Sequence, residues 1–210
     1  MSLQIRNDPF TQRLQQIGQW IAQGLLQPAA QALTEAQAQH PKDVRVALMG
    51  VRLAQQAGNL AGAVQAARRA VALEPGWFVA VTELALQLAA QGQFSEAMEH
   101  ARHAVALAPK EPRVLHSAAN VAEVAGDGQQ ALTWAQTALQ LDPQNHPLRL
   151  DYASMLYRER QYKQAQDEFN RVLQAQPGNE TALKSLLNCA LQLGDQSEAQ
   201  RLADVLIIRS

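Results

Sequence analysis

Five of the chain's nine prolines, Pro41, Pro75, Pro109, Pro143 and Pro177, stand 34 residues apart. At a background proline frequency near 5%, four successive coincidences have odds on the order of 10⁻⁵. The period divides the sequence into units that start at Phe10, Val44, Phe78, Pro112, His146 and Glu180. Alanine holds the twentieth place of all six: Ala29, Ala63, Ala97, Ala131, Ala165 and Ala199. Glycine holds the fifteenth as Gly24, Gly58, Gly92, Gly126 and Gly194, with Arg160 as the exception. The twenty-seventh reads Ala36, Ala70, Ala104 and Ala138, then Val172 and Leu206.

These residue types describe a helix pair per unit. Glycine ends a first helix where the chain must turn at positive φ, a conformation that costs a residue with a Cβ about 1 kcal/mol. Asn59, Asp127 and Asp195 follow three of these glycines and are placed to cap the second helix. The in-phase alanines let two helices cross closely. Proline stops the second helix, because it has no N–H and disfavours helix in its predecessor. Pro28, Pro112 and Pro147 fall near expected helix starts, where proline is tolerated. Arg160 predicts a strained or extended turn in the fifth unit, and Gly18 marks the first unit as degenerate. Abundant Ala, Gln and Leu with 5% aromatic residues agree with an all-α chain.

Composition narrows the function classes. Eighteen Lys+Arg against nineteen Asp+Glu leave a net charge of −1, without the broad attraction that non-specific nucleic-acid binding uses. The longest basic run, Arg68-Arg69, is too short for a nucleic-acid surface. No apolar run reaches the roughly 18 residues of a membrane-spanning helix. The single thiol, Cys189, cannot form an internal disulfide and reads as a small buried hydrophobe. With no signal region, the expectation is a cytoplasmic protein with no nucleic-acid or membrane partner. Residues 1–9 read as an N-terminal extension, Met1–Leu3 as a cloning remnant, and 10–210 as one array.

The Gly–x₄–Ala–x₆–Ala–x₄–Pro spacing, with Phe94 and Tyr162 two residues after the glycine place, resembles the tetratricopeptide repeat (TPR). The resemblance runs through residues 10–210. It implies an all-α TPR solenoid, a right-handed superhelix of about six helix-turn-helix repeats, with first helices lining a concave face. It further implies a non-catalytic scaffold that binds a peptide or protein segment there. The inward places carry Arg45, Leu48, Met49, Arg52 and Gln55 in the second unit and Thr82, Glu83 and Leu86 in the third. In the fourth they carry Arg113, His116, Ser117, Asn120 and Glu123, and in the fifth Leu150, Asp151, Ser154, Tyr157 and Arg158. The sixth has Thr181, Lys184, Ser185 and Asn188. The carboxylate clamp of chaperone-tail binders is matched loosely by His116 and Asn120 and opposed by Asp151. The asparagine ladder of O-GlcNAc transferase arrays is replaced by Gln15, Met49, Glu83, Ser117, Asp151 and Ser185.

Other features read blandly. His100 and His103 have a spacing that can bind a metal, but nothing completes a site, so no metal or cofactor is expected. His40 and His146 sit beside turns. Asn179-Glu180-Thr181 matches a glycosylation sequon by chance. Trp20, Trp77 and Trp134 read as core or edge residues, with Trp77 the most exposed. No phosphate loop, zinc-protease motif or nucleophile elbow supports an enzyme. The last helix ends in Val205, Leu206, Ile207 and Ile208, an apolar finish that suits self-association or contact with a downstream domain. Bacterial proteins that join such an array to a downstream glycosyl-, sulfo- or methyltransferase domain look similar, and the alternative function this resemblance implies is the N-terminal docking module of a larger transferase, truncated at Ser210.

Overall fold

A computed structural model describes residues 8–209. Among these residues are twelve helices of 13 or 14 residues and no strand. They fall into two compact units divided between Ala108 and Pro109, where one of the periodic prolines stands. The first unit holds α1 (Pro9–Ala22), α2 (Leu26–Gln39), α3 (Val44–Gln56), α4 (Leu60–Leu73), α5 (Phe78–Ala90) and α6 (Phe94–Leu107). The second holds α7 (Pro112–Val124), α8 (Gly128–Leu141), α9 (His146–Arg158), α10 (Tyr162–Ala175), α11 (Glu180–Leu193) and α12 (Gln196–Arg209). Within each unit every helix packs on the next, and α1 also touches α3 as α9 touches α11. Each helix pair is therefore one 34-residue repeat, stacked on its neighbour within its own unit.

The turn between paired helices is the same six times. The residue at the glycine place is left-handed in all six repeats, with φ between 69° and 84° at Gly24, Gly58, Gly92, Gly126 and Gly194. Arg160, at φ 60°, is the one non-glycine residue at positive φ among those described. The next N–H reaches back to the last turn of the first helix, from Asp127 to the Ala122 carbonyl and from Gln161 to the Leu156 carbonyl, both at 2.9 Å. This is the Schellman arrangement, which satisfies a carbonyl that the helix end leaves open. The fifth turn is thus strained but not extended: Arg160 adopts the geometry glycine would choose.

Caps are more frequent than the spacing predicts. Asn59, Asp127 and Asp195 accept from the N–H groups of Gly62, Gln130 and Glu198, as expected. Asp8, Asp43, Asn145 and Asn179 cap first helices in the same way. Asp8 makes Pro9 the first residue of α1, so the array begins one residue before the repeat phase implies. Asn179, read above as a chance sequon, accepts from Ala182 N–H at 2.9 Å and donates to Gln176 Oε1 at 3.0 Å. Residues 1–7 of the expected N-terminal extension lie outside the described residues.

The alanine phase is the core. Ala29, Ala63, Ala97, Ala131 and Ala165 are buried to within 1% of completely. Between them lie larger side chains such as Ile17, Leu84 and Leu88 in the first unit and Leu148, Leu156 and Phe169 in the second. Trp134 is buried, while Trp20 and Trp77 are half-buried at edges. Cys189 is fully buried, and burial pushes its thiol up to about 11.

Candidate functional site

First helices project alternate faces, one into the stack and one outward, and the second face carries the residues singled out from the repeat phase. In the first unit α3 and α5 bring them together. Arg45, Leu48, Met49, Arg52 and Gln55 from α3, with Glu83 and Leu86 from α5, line an open groove of about 650 Å³. Leu48, Met49 and Leu86 are half-buried, which leaves apolar surface free for contact. Leu60, Val79, Gln87 and Ala90 complete the lining and were not foreseen. Leu60 and Val79 are large hydrophobics left 45% and 37% exposed at the first and second positions of α4 and α5. Gln87 follows Glu83 by one helical turn, a spacing that would have signalled it. Thr82, also expected on this face, does not line the groove and has a buried hydroxyl.

The charges in this groove differ in how far they are committed. Arg45 donates to both carboxylate oxygens of Asp43 and to Thr11 Oγ1, and lies over the Phe10 ring at 5.3 Å. That hydrogen bonding holds the Asp43 carboxyl below its ordinary range and raises Arg45. Glu83 is half-buried. Its Oε1 accepts from Gln87 Nε2 at 2.7 Å and more weakly from Gln55 Nε2 at 3.4 Å. Burial pushes the Glu83 carboxyl up, against the opposing pull of the Gln87 hydrogen bond and the nearby Arg52 charge. Arg52 is exposed at the rim.

In the second unit the corresponding residues are largely tied to one another. His116 Nε2 meets Asp151 Oδ2 at 2.8 Å, and Arg158 pairs with Glu123, so both pairs bridge α7 and α9. Each pair is separated by 35 residues, one repeat plus one. Tyr157 and Asn188, with Ser154, Arg158, Phe169 and Ser185, surround a smaller polar depression of about 180 Å³. Tyr157 packs on Tyr162 with ring centroids 5.2 Å apart. Lys184 pairs with Glu180 on its own helix at 2.9 Å. Arg113 is exposed and Asn120 half-buried, and neither lines this depression.

At the end of α12, Val205 and Leu206 are half-buried and Ile207 is 71% exposed. The side chain of Ile208 lies outside the described residues. His100 sits 3.8 Å from Glu96, and no cluster of three metal-ligating residues occurs among those described. No described helix is long and apolar enough to cross a membrane.

Helix pairs of one length, repeated at 34 residues around an alanine seam and presenting a partly apolar face, define a helical-repeat scaffold. Profiles of the tetratricopeptide repeat family match residues 82–146 and 124–187, together just over half of the 210 residues. The chain belongs to the tetratricopeptide repeat family. No curated protein matches the sequence. Among solved structures, PilW, a widely conserved type IV pilus biogenesis factor, superposes with a TM-score of 0.84 at 17% identity. That alignment covers 95% of this chain and 93% of PilW. Pseudomonas aeruginosa pilF gives 0.77 at 20% identity, over 94% of this chain and 90% of its own. YrrB, a TPR protein with an unusual peptide-binding site, gives 0.64 at 17% identity, over 82% and 89%. At these identities the likeness establishes the fold.

Proposed function

We propose that this protein is a non-catalytic scaffold that binds a peptide or protein segment against the α3/α5 face. The observation that carries the reading is the open groove in which Leu48, Met49 and Leu86 offer unfilled apolar contact beside Arg52 and Glu83. Apolar side chains that converge on a concave face, with a few polar groups placed among them, suit a ligand that buries side chains and orients its backbone. The peptide-binding site of YrrB lends support from a protein of the same fold. In the second unit the His116–Asp151 and Glu123–Arg158 pairs stiffen the α7/α9 face. Tyr157, Asn188, Asn120, Arg113 and Lys184 are the groups there with polar contacts to offer.

The test uses a random dodecapeptide library displayed on phage and selected against the whole chain. Peptides chosen on the wild type are expected to lose binding to the Leu48→Gln, Leu86→Gln double variant, with far-UV circular dichroism unchanged. Both side chains are half-exposed, so neutral polar replacements leave the helices intact. Peptides that bind the double variant as tightly as the wild type would place the site elsewhere.

A further inference from the structure

The lining of the α3/α5 groove includes a carboxylate, Glu83, that no cation among the described residues meets at contact distance. Both amide donors on Glu83 go to Oε1, and Oε2 has no hydrogen-bond partner among the described residues. Arg52 is close enough to act on Glu83 electrostatically, yet the two form no ion pair within 4.0 Å among the described residues. Arg45, the other cation of the groove, is held by Asp43.

Three kinds of occupant can be weighed against that carboxylate. A wholly apolar segment would cover Glu83 and leave Oε2 away from water with no donor, which opposes binding. An acidic segment would bring a second carboxylate to the same place, and Arg52, exposed and hydrated, returns little for it. A basic side chain supplies both missing elements, donors for Oε2 and a compensating charge. Its methylene stem can lie along the apolar walls while its head reaches the carboxylate.

We propose that the groove takes a protein segment that inserts one lysine or arginine side chain onto Glu83, flanked by apolar residues seated on Leu48, Met49 and Leu86. This rests on the reading of that face as the binding groove and specifies the chemistry of its partner. An arriving cation favours the charged carboxylate, which burial disfavours in the free protein, so binding weakens as the solution is acidified far enough to protonate Glu83.

The peptides selected by phage display serve as probes. Enrichment of one basic position among apolar residues is expected. A synthetic, fluorescein-labelled copy of the tightest peptide, with that residue changed to norleucine, should bind wild type about tenfold more weakly. On Glu83→Gln, a neutral near-isostere, the same change should cost less than about twofold, because the charge it answers is gone. Enrichment of acidic residues, no basic position, or an equal norleucine penalty on both proteins overturns the inference. Peptides that lack a basic residue yet lose binding to the Leu48→Gln, Leu86→Gln variant refute it while the groove stands. Peptides indifferent to that variant remove the groove and this inference together.

Discussion

Replacing Arg160 with glycine should stabilise the protein, and the structure lets the size be worked out. Six turns share one left-handed residue, and only the fifth uses a side chain there, at φ 60°. For a residue with a Cβ that conformation costs about 1–2 kcal/mol. Glycine removes the strain but brings greater freedom to the unfolded chain, which takes back roughly 0.5–1 kcal/mol. The net gain is therefore about 0.5–1 kcal/mol. The Arg160 side chain is exposed, so its removal opens no cavity. In a chain of this length 1 kcal/mol moves the melting midpoint by about 2–4 °C, so Arg160→Gly should raise Tm by about 1–4 °C. Arg160→Ala keeps the Cβ and should move Tm by less than about 1 °C, which separates backbone strain from loss of the arginine. Gly126→Ala is the converse within the same compact unit. A Cβ built there meets nothing within 4 Å, so its expected loss, again about 0.5–1 kcal/mol, is conformational alone. Thermal melts followed by circular dichroism at 222 nm read all three variants. If Arg160→Ala stabilises as much as Arg160→Gly, the strain argument is wrong, and the arginine's charge or packing was the cause.

Glu83→Gln tests the electrostatics of the groove through stability alone. A carboxyl whose pKa is raised by folding favours the native state at pH below its unfolded value and loses that contribution as pH rises through the folded value. Glu83→Gln should therefore raise Tm at pH 7 and show less benefit near pH 4; a variant that melts earlier at pH 7 would contradict the desolvation argument. Cys189, fully buried with its thiol pushed up to about 11, should leave Ellman's reagent unreacted at pH 8 and react only in denaturant. Rapid native labelling would show that α11 opens far more readily than its packing implies.

The architecture was legible because a 34-residue period leaves only one kind of solution, and particular residues then fixed its details. Alanine at one phase meant a helix crossing, and Ala63 and Ala165 are fully buried where the seam was expected. The caps were half seen. Asn59 and Asp127 announce themselves by following a glycine, whereas Asp43 and Asn145 follow a proline turn whose partner N–H groups are not evident until the chain is folded. The groove was legible to the extent that it repeats. Met49 and Glu83 occupy the same place in successive repeats, and stacking brings them to one face. Leu60, Val79 and Gln87 enter from helix starts and from the flank, where a stripe read along one helix does not look. The cross-repeat pairs carry a signal in their spacing. Glu123 and Arg158 are of opposite sign, His116 and Asp151 can share a hydrogen bond, and both pairs are separated by one repeat plus one, the separation at which these first helices meet.

That separation also bears on the proposal that the α3/α5 face binds a partner and is not merely solvated. If the outward face of the first helices served only to keep the stack in water, its carboxylates would be expected either fully hydrated or paired with the next repeat. Glu123 and Asp151 are paired in that way across α7 and α9. Glu83 follows neither course. One repeat earlier its counterpart is Met49 and, a residue before that, Leu48, so at that register the neighbouring helix offers it apolar walls, with Arg52 near but not in contact. It stays half-buried, with one oxygen satisfied by two amides and the other by none. A charge in that setting does nothing for folding, because desolvation opposes it and its hydrogen bonds repay only part of the cost. Folding at pH 7 would be better served by glutamine. What glutamine cannot do is present a negative charge to something that enters the groove, and the proposal of a basic partner rests on that contrast between α3/α5 and α7/α9.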